Sequence, residues 1–350
     1  MPHTRLRPCH RLPLPLIFFF LANAVLFVGT CLAQGTFVSF NGPMAGTQSG
    51  GTFPSVINRW GGIGLATIDD NGITRAYVRH PNGTYFQIQP PGATNTYLDA
   101  LTSQGQVAGT FVDSQSQQHG YVRNTDGTYV TLNPPGSTQS FVIGMNEAGQ
   151  VVGEAFVDID KAITSFFWDP TQPNAYVTIE VPGEIGTSPT AINDSGQIAG
   201  VYLESTTRKR KGFLRGSDGT FALFEIGTST NLQVLALNDR GTIVGSSFKL
   251  GITTGYLRYS GNGRKFFGAQ ANGRPWSSAI NDNGLVVGWF SYSDGSSDVA
   301  FSMDRNLTPE PIPVPFSNQS TRAIGVDNAG QIVGAFVDAN GIPHGWLYLP

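Results

Sequence analysis

The chain has 350 residues, of which 13% are charged and 11% aromatic, and it contains 44 glycines and 22 prolines. This composition excludes an intrinsically disordered chain, which would be richer in charge and poorer in aromatic residues, and it favours many short strands. The formal net charge is −3, and no acid precedes residue 34, so the mildly acidic body argues against nucleic acid as the main partner.

Residues 1–33 have the composition of a secretory signal peptide. A basic region, a long apolar run and small residues suited to cleavage follow one another: Arg5, Arg7 and Arg11, then residues 12–28, then Cys31-Leu32-Ala33. We therefore expect a secreted, extracellular protein whose residues 34–350 form a single domain. Because the apolar run is long, a retained membrane anchor is an alternative. Lipidation of Cys31 and a periplasmic destination are two others.

The cysteines, Cys9 and Cys31, both fall in this leader. We therefore expect a mature domain without disulfides, thiol nucleophiles or cysteine metal sites. No later apolar run is long enough to cross a bilayer, so we expect no transmembrane segment in the mature chain.

A ten-residue pattern recurs through the body as a short apolar strand, a tight turn and a second strand that carries a glycine. Its clearest copies are residues 191–200, 236–245 and 279–288, its weaker copies are 100–109, 144–153 and 325–334, and a degraded copy covers 57–65. From Leu65, which replaces the first glycine, successive copies are 44, 44, 47, 45, 43 and 46 residues apart. Each unit contains four apolar runs bounded by Gly, Asn, Asp and Pro, which predicts four strands per unit.

A period of this length with four strands per unit predicts a β-propeller. Residues 35–43 match the fourth strand of other units, such as residues 83–91, whereas the last unit stops after its third strand at Leu349. We therefore predict an all-β, seven-bladed β-propeller of four-stranded blades, closed by the N-terminal strand completing the C-terminal blade. Such closure would remove the exposed strand edges of an open array.

The recurring glycine lies inside a strand, which predicts close approach of neighbouring backbone. Aromatic residues recur after this glycine and in the third strand, and we expect them to form the core between blades. The third-strand set is Tyr77, Tyr121, Phe167, Phe213, Tyr256, Phe301 and Trp346.

The pattern resembles the extracellular HAF repeats of secreted bacterial proteins. Their signature is Ile-Asn-Asp-x-Gly-x-Ile-Val-Gly, followed by a His-Ala/Gly-Phe triplet and an Asp-Gly-Thr turn. The triplet is present here as His119-Gly120-Tyr121 and His344-Gly345-Trp346, and it departs from the signature in the other units. The resemblance covers nearly all of residues 35–350 and implies secretion and a β-rich repeat fold. It implies no catalytic residues.

No catalytic or phosphate-binding motif is present, so we assign no catalytic, cofactor or metal residues. The second strand of several units ends in a carboxylate: Asp69, Asp113, Asp158, Glu204 and Asp338. In a propeller these acids lie near one face, beside the variable loops that follow strands two and four. They are candidate ligand-face residues that could bind calcium or orient sugar hydroxyls, and the alternative is that each acid starts a turn. A basic run, residues 208–211, either contacts an anionic polymer or phospholipid or is a solvated hairpin tip.

We therefore expect a monomeric, non-catalytic scaffold that binds a glycan or a protein on the variable-loop face. The alternative is a polysaccharide hydrolase or lyase with carboxylates at the channel mouth. A purely structural surface protein is a third hypothesis, and it predicts that glycan and activity screens are both blank.

Overall fold

A computed structural model describes residues 35–156, 163–261, 263–268, 273–292, 296–317 and 319–350. Within these ranges all regular structure is β-strand, and no helix that could cross a membrane is present. The leader and Asp158 lie outside the described residues.

The strands alternate with tight turns throughout. Their bounds are β1 Thr36–Phe40, β2 Gly51–Ile57, β3 Ile63–Ile68, β4 Thr74–Arg79, β5 Tyr85–Ile88, β6 Asn95–Thr96, β7 Ala100–Leu101, β8 Val107–Val112, β9 Gln118–Arg123, β10 Tyr129–Leu132, β11 Gln139–Met145, β12 Val151–Phe156, β13 Ile163–Trp168, β14 Tyr176–Thr178, β15 Ile185–Ile192, β16 Ile198–Leu203, β17 Arg210–Arg215, β18 Phe221–Phe224, β19 Asn231–Leu237, β20 Ile243–Lys249, β21 Ile252–Arg258, β22 Arg264–Phe267, β23 Gly273–Ile280, β24 Val286–Tyr292, β25 Val299–Met303, β26 Glu310–Pro311, β27 Thr321–Val326, β28 Ile332–Val337 and β29 Pro343–Leu349.

The strands form antiparallel groups of four, which we call repeats 1 to 7. Repeats 1 to 6 comprise β2–β5, β6–β10, β11–β14, β15–β18, β19–β22 and β23–β26, and the first strand of repeat 2 is split into β6 and β7. Repeats 4 and 5 share one eight-stranded sheet, because β17 also meets β19 through a single parallel pair, Arg210 with Asn231. The described strands thus follow the four-strand unit that the sequence predicts.

Repeat 7 combines the beginning and the end of the described chain in the order β1-β29-β28-β27. β1 pairs antiparallel with β29 from Thr36–Leu349 to Phe40–Gly345. The ring of Phe37 lies 6.1 Å from that of Trp346 and 5.1 Å from that of Tyr348. A strand separated from β29 by almost the whole chain therefore supplies the fourth strand of this sheet.

Neighbouring repeats pack through their first strands as well as through their faces. Each first strand contacts the first strand of the next repeat, from β2 through to β27, and β27 also contacts β2. The first strands of the seven repeats therefore lie next to one another.

The recurring glycine lies opposite a β-bulge in the first strand. The register of the first two strands shifts by one residue beside this glycine, for example between Pro189 and Ala191 opposite Gly200. A Cβ on Gly200 would lie 2.3 Å from the carbonyl oxygen of Ser188 and 2.6 Å from the ring of Phe213. Glycine is required because a first-strand carbonyl and a third-strand ring both rest on its Cα.

Replacement of this glycine by alanine is expected to be costly. Gly200→Ala should reduce the free energy of unfolding by about 1–3 kcal/mol, because the ring and the bulge must both move. Urea unfolding followed by tryptophan fluorescence measures the change. Gly268→Ala is the matched control, because a Cβ on Gly268 meets no atom within 4 Å. Equal effects of the two substitutions would contradict this explanation of the glycine.

The third-strand aromatic residues form the core, with one difference in repeat 3. Tyr121, Phe213 and Phe301 are each 0% exposed. In repeat 3, however, Phe166 pairs with Gly153 and is buried, whereas Phe167 pairs with Val152 and is half-buried. The aromatic residue over the glycine in repeat 3 is therefore Phe166 and not Phe167, because side chains alternate between the two faces of a strand. Phe167 still packs against the core between repeats 3 and 4, although it is only half-buried.

Candidate functional site

The described candidate acids all occupy the same hairpin position. Each follows the second strand of its repeat, and each contacts an Arg, Lys or His side chain on the third strand of the same repeat. The pairs are Asp69 with Arg75, Asp113 with His119, Glu204 with Lys211, and Asp338 with His344.

Asp69 shows how such a carboxylate is used. One oxygen accepts a hydrogen bond from Arg75 at 2.7 Å, and the other accepts the backbone N–H groups of Asn71 and Ile73, both at 2.9 Å. The Arg75 hydrogen bond, followed by that of Ile73, lowers the pKa of Asp69. Asp113 and Asp338 accept backbone N–H groups at the same two positions, and the pKa of each is lowered first by those bonds.

Glu204 differs in its partners. Lys211, 2.5 Å away, is the main cause of its lowered pKa, and the Thr207 hydroxyl also donates to it. All four described acids thus hold their own hairpins, and they belong to four different repeats. Among the residues that the structure describes, no group of three or more His, Cys, Asp or Glu side chains could hold a metal ion.

The first strands have one accessible side. In every repeat a half-buried or exposed residue lies between two buried ones, as Tyr97 does between Thr96 and Leu98. The accessible residues at this position are Phe53, Tyr97, Phe141, Ser188, Gln233, Trp276 and Arg322. Four of the seven are aromatic. They lie in the half of each first strand nearer to the variable loops.

Two tryptophans of repeat 6 form a stacked pair on this side. The rings of Trp276 and Trp289 are 6.5 Å apart and inclined by only 13°. The guanidinium carbon of Arg322, from repeat 7, lies 5.1 Å from the centroid of Trp289. Asp298 holds Arg322 in place by accepting its Nε–H at 2.6 Å, and Asp298 is itself buried. We call Trp276, Trp289, Arg322 and Asp298 the tryptophan platform.

Asp99 is an acid at the bulge position of repeat 2. The other repeats have Ser, Ile, Thr or Leu there, as in Ile143 and Leu235. The side chain of Asp99 is exposed to solvent, but many protein atoms lie around it, and the resulting partial desolvation raises its pKa to about 7 against a weak opposing hydrogen bond from Thr110. Sequence reasoning missed Asp99, although alignment of the seven first strands would have shown it as the one acid among neutral residues.

The opposite ends of the first strands meet at a cavity of about 200 Å³, which residues of all seven repeats line. Asparagines of the Asn-Asp turns bridge the repeats here, because each side-chain amide donates to a backbone carbonyl of the next repeat. The bridges are Asn58 to Thr102, Asn146 to Asn193, Asn193 to Asn238, Asn238 to Asn281 and Asn281 to Asp327, at 2.8–3.1 Å. We call these five hydrogen bonds the asparagine ladder.

One arginine crosses this cavity. Arg59 of repeat 1 donates to Asp194 of repeat 4 at 3.2 Å and lies 3.7 Å from Glu147 of repeat 3. Asp239 lies beside Asp194 and Asp282, and burial, followed by these like charges, raises its pKa. The cavity is therefore acidic and is partly filled by the protein's own cation.

Two repeats lack the asparagine of this turn: Thr102 replaces it in repeat 2 and Asp327 replaces it in repeat 7. Asp327 is the charged replacement. Its Oδ1 accepts the N–H groups of Ala329 and Gln331, as the asparagines do in their turns. Its Oδ2 is buried and has no hydrogen-bond partner among the described residues. Burial raises the pKa of Asp327.

No protein-family model and no curated protein matches the chain. Solved structures do match it. The β-propeller domain of the Trilobed protease from Pyrococcus furiosus is 12% identical with a TM-score of 0.59, and covers 85% of this chain and 95% of its own. An oligogalacturonate lyase in complex with manganese is 13% identical with a TM-score of 0.59, and the match covers 90% of this chain and 96% of the lyase. The BP39L lectin from Burkholderia pseudomallei is 12% identical with a TM-score of 0.51, and the match covers 85% of this chain and 97% of the lectin. At these identities the likeness shows the fold alone, and the prediction of an all-β propeller is confirmed.

Proposed function

We propose that this protein is a secreted, non-catalytic β-propeller that binds a glycan on the variable-loop face. The observation that carries the proposal is the tryptophan platform on the accessible side of the first strands. The apolar faces of sugars stack on aromatic rings, while carboxylate and guanidinium groups hold their hydroxyls. The platform offers aromatic rings and the exposed guanidinium of Arg322 within one small area, and the buried Asp298 fixes the position of that guanidinium.

We further propose that the seven repeats are seven blades of a closed ring, completed by β1. The β1–β29 pairing, the contact between β27 and β2, and the cavity lined by all seven repeats support this arrangement. In such a ring the accessible residues of the seven first strands face one central opening. Tyr97 and Phe53 would then extend the aromatic surface of the platform. Membership in the HAF-repeat family and secretion by the leader are part of this proposal and rest on the sequence.

A glycan array probed with residues 35–350 tests the proposal. Trp276→Ala and Trp289→Ala are each expected to weaken binding of the captured glycan about tenfold or more, as is typical of an aromatic anchor in an interface. Phe266→Ala is the matched control, because Phe266 is 52% exposed on the outer strand β22, away from the first strands. Its binding should be unchanged. A blank array, or equal loss in all three variants, would contradict glycan binding at the platform.

Asp99 favours a second function, cleavage of a polysaccharide by hydrolysis or elimination. A carboxyl group with a pKa of about 7 can both give and take a proton near neutral pH. An activity screen on the same glycans distinguishes the two functions. Turnover that Asp99→Asn abolishes, with binding intact, would assign the enzyme. Binding without turnover supports the scaffold.

A further inference from the structure

Two neighbouring hairpins on the variable-loop face have unusual tips: one is apolar and the other is strongly basic. Hairpin β20–β21 of repeat 5 is paired up to Lys249 and Ile252, so its turn consists of Leu250 and Gly251 alone. Leu250 is 88% exposed and Ile252 is 67% exposed. At the same position the hairpins of repeats 1 and 7 have polar turns that begin with Asp69 and Asp338.

Leu250 also adopts an unfavourable backbone conformation. Its φ is +49° and that of Gly251 is +84°, which are the left-handed values of a type I′ turn. Asparagine and glycine adopt this conformation readily, whereas leucine does so at a cost in conformational free energy. A large apolar side chain is therefore held in water at the tip of a tight hairpin where Asn-Gly would be more stable. Such an exception indicates a functional constraint on the apolar side chain.

The adjacent hairpin, β16–β17 of repeat 4, is basic. Arg208, Lys209 and Arg210 are exposed at its tip, whereas Lys211 is neutralised by Glu204 and Glu225. The remaining nearby acid, Glu184, accepts the backbone N–H of Ser205. Within the described part of the chain, none of these three exposed cations forms an ion pair that would compete with an external anion.

The two tips are held side by side. Asn231 of β19 pairs with Arg210 on one side and with Phe248 on the other. Two strand spacings separate Arg210 from Phe248, which is about 10 Å. Phe248 is 37% exposed and immediately precedes Lys249. Apolar and basic side chains thus form one surface, which we call the hairpin pair and define as residues 208–210 and 248–252.

We propose that the hairpin pair docks the protein on an anionic lipid bilayer, with Leu250 and Ile252 entering the interface and the cations binding lipid headgroups. Exposed apolar side chains beside several cations are the combination that interfacial membrane binding requires. A soluble polyanion would use the cations and leave Leu250 and Ile252 in water. The inference is independent of glycan binding, because the tryptophan platform lies in repeats 6 and 7.

Vesicle co-sedimentation of residues 35–350 tests the inference. These residues form one compact unit, and the leader is omitted because its apolar run would itself bind lipid. We expect binding to vesicles that contain phosphatidylglycerol and weak binding to pure phosphatidylcholine, with affinity falling as salt rises. Leu250→Asn should reduce binding about tenfold while the melting temperature stays the same or rises, because asparagine suits the left-handed turn. Weaker vesicle binding without a loss of stability would show that Leu250 acts in membrane docking and that the loss of binding is not caused by unfolding.

Met44→Asn is the matched control. Met44 is 62% exposed and has a φ of +58°, so the same change is made at an exposed apolar residue in the same conformation but outside the hairpin pair. Its vesicle binding should be unchanged. Replacement of Arg208, Lys209 and Arg210 by glutamine should abolish the preference for anionic vesicles. No vesicle binding, equal binding to neutral and anionic vesicles, or normal binding by Leu250→Asn would overturn the inference. Heparin binding that is unchanged in Leu250→Asn would also overturn it, because a soluble polyanion would then be the ligand. A dimer that Leu250→Asn dissociates would overturn it as well, because a second copy of the chain would then cover this surface.

Discussion

Removal of residues 35–41 is expected to lower the melting temperature by roughly 10 °C or more. The deletion removes all five residue pairs between β1 and β29. It also removes Phe40, which is 8% exposed, packs on Gly345 and lies 5.1 Å below the guanidinium of Arg79. Loss of one buried phenylalanine costs about 3–5 kcal/mol, and a domain of this size loses about 2–4 °C per kcal/mol. The deletion leaves β29 as an unpaired, aggregation-prone edge as well.

Differential scanning calorimetry measures the change, and two controls define its cause. Phe86→Ala alters a 45% exposed aromatic of the outer strand β5 and should have little effect. A synthetic peptide of residues 35–41, added to the truncated protein, should restore part of the lost stability by pairing with β29. A truncated protein that melts like the intact one would show that the sheet stands without β1, and the proposed closure of the ring would fail.

Asp327→Asn is expected to stabilise the protein at neutral pH, by about 1–3 kcal/mol. The asparagine ladder shows what this position requires: in repeat 6, Asn281 accepts a backbone N–H of its own turn and donates its amide to the next repeat. Asp327 can make the first contact but, when ionised, cannot donate. An asparagine at this position would place an amide N–H donor where the unpartnered Oδ2 of Asp327 now lies.

The pH dependence of this effect has a definite sign. Because burial raises the pKa of Asp327 in the folded state, the folded protein holds the proton more tightly than the unfolded chain does. The stability contributed by this group is complete below the unfolded pKa, about 4, and is lost as pH rises through the raised folded value. The free energies of unfolding of the two proteins should therefore be most alike near pH 4, and their difference should grow towards neutral pH.

Urea unfolding of both proteins across this pH range provides the measurement. Asn238→Asp is the reciprocal control, because it introduces the same defect in the middle of the ladder. Asn238 donates to Asn281 at 2.9 Å, and loss of that bond should destabilise the protein most at neutral pH. If Asp327→Asn had no effect, or stabilised the protein equally at every pH, a protonation-linked defect at Asp327 would be excluded.

Much of the local structure was predictable, and the candidate site largely was not. The hairpin role of the acids such as Asp69 and Asp338 follows from their place before a turn, and this was the alternative stated from the sequence. The residue of repeat 3 that lies over the glycine is not evident from the chain, because Phe166 and Phe167 are equally good strand residues and only packing on Gly153 separates them. Trp276 and Trp289 belong to different strands of one hairpin, and nothing in their spacing along the chain indicates that they stack.

The amino-acid sequence by itself determined the repeat, the four-strand unit and the all-β class, because alternation and turn chemistry depend on residues close together in the chain. Only the tertiary structure decided which side chains of different repeats meet. Arg59 reaches Asp194 across 135 residues, and Arg322 of one repeat lies over Trp289 of another. Such contacts depend on the register between strands and the packing of whole sheets on one another. Those are cooperative properties of the assembled core, and no short stretch of sequence specifies them.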